Sequence, residues 1–370
     1  MIKSGYVGFL IFVSMMIVFF ILPDPEGLQK PFRVLMGLSF VIIYFALLIK
    51  KEISSITIWP VLIGSGLVVL MVLRGTIQTS FINAYLCLFG LLCMPTLFFK
   101  LSTMRLTNLK YIHVLAVLSI LIQFMVFSSQ DGRPRLAYEI GLSGAYLFLF
   151  FIASDILNYK YGKLLVVVLS LFTLTRLLVF SIVLFYIVKY TKKYFRSWLE
   201  KINVIRIIII TYVVFSAFSL WYIANIKSQI AYETGISRLV NVNDGSNELR
   251  FFVNTLVIGT IYSSPLDPKV LFGFGPVENF INTKDSQVMP HNELFDSIVQ
   301  FGLLTVFFFA FVSLPIFNKV TSYANIEYLI PILFNTLVLW LRYLLIPSFE
   351  MLFILFLLNI VYQRNIEKSQ

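Results

Sequence analysis

The sequence predicts an all-α, polytopic integral membrane protein of about twelve transmembrane segments, with one long loop. Three observations carry that prediction. Of the 370 residues, 59% are hydrophobic, against roughly 45–50% apolar in a soluble domain. Only 13% are charged, about half the usual share of roughly 25%. The apolar residues also gather in runs close to the roughly 20 residues a spanning helix needs. A soluble domain of this composition would leave large apolar patches in water, and disorder, collagen and coiled coil are excluded on the same figures.

The first run, 5–22, lacks an Ala-x-Ala cleavage site and ends in Leu22-Pro23-Asp24-Pro25, so it reads as a retained span rather than a signal peptide. Runs at 34–49, 56–73, 81–99, 111–127 and 140–157 follow, and later 205–224 and 298–317. Two stretches are interrupted. Residues 164–188 carry Arg176 at their middle, and 327–362 are broken by Arg342, Pro347 and Glu350. As one helix the second would be about 54 Å long. Each is read as two segments, which brings the total to twelve. The chain then divides into an N-terminal bundle (1–224, about nine segments), a large loop (225–297) and C-terminal segments (298–370). Cys87 and Cys93 lie six apart in one run, about 9 Å along a helix. That is too far for a disulfide, so they read as core thiols.

Charge tests the count. The net charge of +11 suggests nucleic acid, but no basic domain stands outside the spans, and a positive-inside bias explains it. With both termini inside, 17 of the 29 Lys and Arg face the cytoplasm. Were 164–188 a single span, Lys160 and Lys163 would face away from the Lys189–Lys201 cluster, against the positive-inside rule. A re-entrant hairpin tipped by Arg176 keeps the same parity as two spans.

The inner set holds 13 Lys and 4 Arg, whereas the outer set holds 4 Lys and 8 Arg. The outer arginines are Arg33, Arg74, Arg133, Arg135, Arg176, Arg238, Arg250 and Arg342. Topology needs only charge, which lysine supplies. Arginine adds a planar fork that grips phosphate or carboxylate through two bonds. Any one of them has a structural alternative, pairing with an outer acid such as Asp131, Glu139, Glu233 or Glu248. As a group they point to an anionic ligand.

The loop is neither Gly/Ser-rich nor poor in apolar residues. Asp244-Gly245-Ser246 predicts the start of an amphipathic helix running to about Tyr262, with Arg250 in its first turn and Ser263-Ser264-Pro265 ending it. Leu271-Phe-Gly273-Phe-Gly275 follows, then His291-Asn292-Glu293-Leu294 directly before an apolar run. The chain has two histidines. His113 opens a span on the lysine side and is expected to pack or hydrogen-bond. His291 stands at a helix entrance on the arginine side. Walker, G-x-S-x-G, H-E-x-x-H and D-x-D motifs are absent from the sequence.

The series Leu271-Phe-Gly-Phe-Gly275, His291-Asn-Glu-Leu294 and Phe301-Gly-Leu-Leu304 resembles the O-antigen polymerase and ligase superfamily, which shows a Phe-Gly-x-Gly turn, then His-Asn and a Gly-Leu-rich helix start. Arg250 is similar to the family's loop arginine, and Arg133 with Gly144 to an Arg-x10-Gly element of some polymerases. The resemblance covers roughly 225–305 in motif and the whole chain in span count. It implies a metal-independent glycosyltransferase of the bacterial inner membrane, without cofactor, whose site faces the periplasm. The donor is a glycan on undecaprenyl pyrophosphate, and the acceptor is the terminal sugar hydroxyl of another lipid-linked repeat unit. A chain-length regulator protein is an implied partner alongside membrane lipids, and nucleic acid is not. The catalytic residues implied are His291 as proton acceptor, Glu293 as the second choice, and Asn292 as orienting group. Arg250, Arg238, Arg176, Arg135 and Arg133, with Gly273 and Gly275, are the residues expected at the pyrophosphate and substrate. Three rival expectations stand beside this: a ligase moving the finished glycan to lipid A core or protein, a lipid or ion transporter, and a membrane scaffold protein, which would not need eight outer arginines.

Overall fold

In a computed structural model of the chain the described residues are 4–22, 29–76, 79–98, 109–127, 134–136, 140–173, 176–194, 214, 245–275, 293–320, 326–338 and 346–369. The secondary structure there is helical, and no strand occurs among the described residues. In chain order the helices are α1 (Ser4–Met16, continued by a π-helical turn Ile17–Ile21), α2 (Gln29–Ile49), α3 (Ile58–Leu73), α4 (Thr79–Phe98), α5 (Leu109–Val126), α6 (Ile140–Ile156), α7 (Lys160–Thr173) and α8 (Arg176–Thr191). After the long loop's start come α9 (Gly245–Ser263), α10 (Pro268–Phe272), α11 (Glu293–Phe301), α12 (Leu303–Val320), α13 (Ile326–Val338) and α14 (Phe349–Ser369). The helices α2, α3 and α4 are each long and apolar enough to cross a membrane, and shorter apolar helices accompany them.

Outward-facing side chains explain the composition. On α2 the exposed residues include Leu35, Leu38, Ile42, Phe45 and Ile49, and on α5 Tyr111, Leu115, Leu118, Ile122 and Met125. Steps of three and four put each set on one helix face. A water-soluble helix would carry polar residues there; these stripes are apolar and suit contact with lipid tails.

The interior is built on α6 and α14: every residue from Ser143 to Ile156 and from Phe349 to Ile360 is buried. Aromatic rings join them to α1: Phe12 stacks on Phe353 and Phe356, with centroids 5.3 and 4.2 Å away, and Phe20 meets Phe150 edge-on at 5.0 Å. The π-helical turn widens the helix locally, and Val18, Phe19 and Phe20 are all buried there.

Two buried charge clusters fix the helix directions. At one end Asp155 of α6 receives Lys163 of α7 at 2.7 Å, Lys189 of α8 at 3.0 Å and the Tyr328 hydroxyl of α13 at 2.8 Å. Beside it Lys192 pairs with Glu327 at 2.8 Å. On one straight helix Lys163 and Lys189 would lie about 39 Å apart. Their meeting on one carboxylate means that α7 and α8 form a hairpin, so 164–188 is two segments with Arg176 beside the turn. At the other end Arg33 of α2 pairs with Glu350 of α14 at 3.0 Å, and the Tyr146 hydroxyl of α6 donates to the same oxygen at 2.7 Å. Arg33 also donates to Tyr146 Oη at 2.9 Å and lies over the Phe19 ring. The stretch 327–362 is likewise two helices, α13 starting at the lysine cluster and α14 at the arginine cluster. Cys87 and Cys93 are free and buried. The expected span 205–224 lies outside the described residues save for Val214, which is helical.

Removing one partner of a buried ion pair leaves the other charge stranded, at about 3–5 kcal/mol. Arg33→Ala is therefore expected to lower thermal stability in detergent by about 3 kcal/mol, while the double change Arg33→Met with Glu350→Met recovers most of it. A melting curve of Arg33→Ala that superimposes on the wild type would refute the pairing.

Candidate functional site

The motif segments of the loop converge on α11. Asp267 starts α10 by accepting the Lys269 N–H at 2.7 Å, with Pro268 at the first helical position, where proline loses no bond. Arg74, at the end of α3, donates to the Pro268 carbonyl at 2.9 Å and lies 5.2 Å from the centre of the Phe272 ring. The loop is thereby tied to the arginine end of the bundle. Arg33 and Arg74, two of the eight arginines read as a ligand-seeking group, thus have partners within the protein. Neither partner is among the outer acids named from sequence.

Helix α10 ends on Gly273 at φ +90°, and Gly275 follows at φ +84°, a region that L side chains rarely adopt. The Phe274 N–H donates to the Val299 carbonyl at 2.8 Å. A Cβ on Gly273 would press on the backbone of Gln300 and Phe301, and one on Gly302 (φ +83°) on the backbone of Gly273 and Leu271. Two of the three motif segments are therefore in backbone contact. The helical hydrogen-bond pattern continues through the bend at Gly302, with Gly302 N–H to Ile298 at 2.9 Å and Val306 N–H to Gly302 at 3.1 Å. Gly273 packs on the last turn of α11, about 12 Å along its axis from Glu293. It fixes the chain that enters 276–292 against the helix that leaves it, and its close face is filled by backbone.

Helix α11 begins at Glu293, so Asn292 immediately precedes it, a position that favours asparagine as a cap. From Phe295 to Phe301 every residue is buried, yet Asp296, Ser297 and Gln300 are polar. Gln300 Nε2 donates to Asp296 Oδ1 at 2.9 Å, and Ser80 of α4 donates to Gln300 Oε1 at 3.2 Å. Sequence reasoning missed this seam. Its signal was the spacing of Asp296 and Gln300 by four, which puts the two on one helix face.

The remaining predicted residues fall as follows. The predicted loop helix is α9, which packs on α11, and Arg250 stands in its second turn. Arg176 opens α8, whose main neighbours are α6, α7 and α13. The Arg135 N–H donates to the Phe127 carbonyl at 3.1 Å, just beyond α5. His291, Asn292, Arg133 and Arg238 lie outside the described residues. His113 is buried between Phe150 and Tyr159, 4.7 and 4.3 Å away, with the Ser154 hydroxyl 3.3 Å from Nε2. It packs and hydrogen-bonds, as expected. Among the described residues no three His, Cys, Asp or Glu side chains gather as a metal-binding group. Comparison with protein-family models, with curated proteins and with solved structures finds no match.

The glycine contact yields a paired test. Gly302→Ala should cost about 2 kcal/mol or more, from left-handed backbone strain and from the clash with Gly273. Gly259, inside α9, would place a Cβ in open space. Gly259→Ala should be neutral or stabilising by up to about 1 kcal/mol. Thermal melts of the two variants should therefore move in opposite directions or differ widely; equal melts would contradict the backbone contact.

Proposed function

We propose that the chain is a polysaccharide polymerase of the O-antigen type. It transfers a glycan from undecaprenyl pyrophosphate onto the non-reducing sugar hydroxyl of an incoming lipid-linked repeat unit, at the periplasmic face of a bacterial inner membrane. The observation that carries this reading is the seam of Gly273, Phe274, Val299 and Gly302. It joins the Gly turn to the Gly-Leu helix start, holding both ends of the segment that bears His291. A second support is the packing of α9, the helix of Arg250, on α11.

In this reading His291 takes the proton of the acceptor hydroxyl, imidazole being the side chain that most readily exchanges a proton near neutral pH. The hydroxyl oxygen bonds to the anomeric carbon as the bond to pyrophosphate breaks, and the electron pair leaves on the pyrophosphate. Arg250, with Arg238, Arg176, Arg135 and Arg133, supplies fixed positive charge where that negative charge develops. Asn292 orients His291 or a sugar hydroxyl, and Glu293 is the alternative base. A chain-length regulator is the expected protein partner.

Ligation of the finished glycan to lipid A core is the nearest alternative. A gel of surface polysaccharide from a deletion strain separates the two. Loss of the ladder with a single repeat kept on the core indicates a polymerase, whereas complete absence of capped core indicates a ligase. A lipid or ion transporter is the alternative of another class, and its expected feature is paired broken helices near the midplane. Substrate flux in proteoliposomes, without polymer synthesis, would decide for it.

His291→Ala should reduce polymer formation about 10²–10⁴-fold with donor binding kept. Arg250→Ala should weaken both binding and rate, and Arg250→Lys should restore only part, because lysine lacks the fork. Long chains of normal length from His291→Ala would remove the catalytic assignment.

A further inference from the structure

Buried polar side chains without a partner are uncommon, and each asks for a reason. Among the described residues seven buried side-chain atoms make no hydrogen bond. Five of them are Thr76 Oγ1, Asn83 Oδ1, Asn254 Oδ1, Ser297 Oγ and Thr305 Oγ1, and all five stand on neighbouring elements. Thr76 follows Arg74, which holds Pro268. Asn83 is one turn along α4 from Ser80, which holds Gln300. Asn254 is on α9, which packs on α11, and Ser297 and Thr305 are on α11 and α12. The other two, His113 Nδ1 and Ser313 Oγ, lie on α5 and further along α12.

Two of these elements, α4 and α11, also hold the Asp296–Gln300–Ser80 chain. A bundle of apolar helices gains nothing by gathering unpaired oxygens, since each loses water and gains no bond in return. Asn254 is 2% exposed, and Ser297 and Thr305 are fully buried, so bulk water does not satisfy them. The helix that carries Ser297 also starts directly after His291-Asn292.

We infer that Asn254, Asp296, Ser297, Gln300 and Thr305 form a recognition site for the ring hydroxyls of the acceptor sugar, an inference that rests on the polymerase reading. Asn254 Oδ1 and the Asp296 carboxylate accept hydrogen bonds, Gln300 carries both functions, and the Ser297 and Thr305 hydroxyls donate and accept. A polyol matches this set, because each of its hydroxyls does both. Pyrophosphate does not match, since it brings only acceptors and negative charge against Asp296. A lipid tail brings neither.

The test uses near-isosteric apolar replacements in the full-length protein in nanodiscs: Ser297→Ala, Thr305→Val and Asn254→Leu. Two probes are titrated, undecaprenyl pyrophosphate without sugar and the lipid-linked oligosaccharide extracted from the source cells. Each variant should bind the oligosaccharide at least about tenfold more weakly and the sugar-free lipid within about twofold of wild type. Its melting temperature should equal or exceed that of the wild type, because the replacement removes an unpaired buried oxygen. Function and stability then move in opposite senses, which a packing role does not produce. Unchanged oligosaccharide affinity overturns the site, as does a joint fall in stability and in affinity for both probes. Should the wild type bind neither probe, the polymerase reading itself fails and this site with it.

Discussion

Asp155 is bound by side chains from α7, α8 and α13, and the arrangement of the second half of the bundle depends on it. Among the described residues the outward faces of the helices carry many large apolar side chains, as the interior does. Between lipid and protein there is little hydrophobic difference to choose which helix faces which, so the few polar contacts carry directional information. Asp155 gathers Lys163, Lys189 and Tyr328 at one end of α6, while Tyr146 joins Arg33 and Glu350 about 13 Å further along the same helix. Both clusters use α6 as their common member, which accounts for the near-complete burial of that helix. A lysine at the first place and an arginine at the second follow the same division of charge that the sequence shows between its two sets of loops.

Near the loop the organising contact is of a different kind. Gly273 and Gly302 let two backbones touch where any side chain would hold them apart. This seam is geometric rather than electrostatic, and it anchors α10 to the bend between α11 and α12. The Arg74 contact to Pro268 and Phe272 adds a tie to α3. What the two devices have in common is that each brings together residues far apart in sequence at a point where apolar packing alone is indifferent.

Much of the fold was legible in the sequence. The apolar runs gave the helices. The charge argument divided 164–188, because a lysine cluster on each side of a stretch constrains parity whatever the stretch does inside; 327–362 was divided by its length and by Arg342, Pro347 and Glu350 within it, and both divisions match the helices α7, α8, α13 and α14. The helix from Gly245 was legible from its capping signal. The partners of Arg33 and Arg74 were not, because one is a carboxylate 317 residues away and the other a backbone carbonyl, which has no sequence signature. The expected span 298–317 begins earlier, in a separate helix α11, and bends at Gly302; its apolar run continues unbroken across the bend, so periodicity carried no mark of it. Of the site, the glycines announced a turn but not what the turn packs against. Gln300 was hidden inside that same run with Asp296 just before it, and His291 is known only by its place in the chain, two residues before α11.

The length of the α7–α8 hairpin has a consequence for the surrounding lipid. Its arms have 14 and 16 residues, about 21 and 24 Å of helix, against roughly 30 Å of hydrocarbon. Leu164, Leu171, Phe172, Phe180, Val183 and Ile187 face outward along them. As two spans these arms leave several ångströms of hydrophobic mismatch, whereas α2, with 21 residues, matches full thickness. Lipid packed beside these arms would be drawn thinner than lipid packed beside α2.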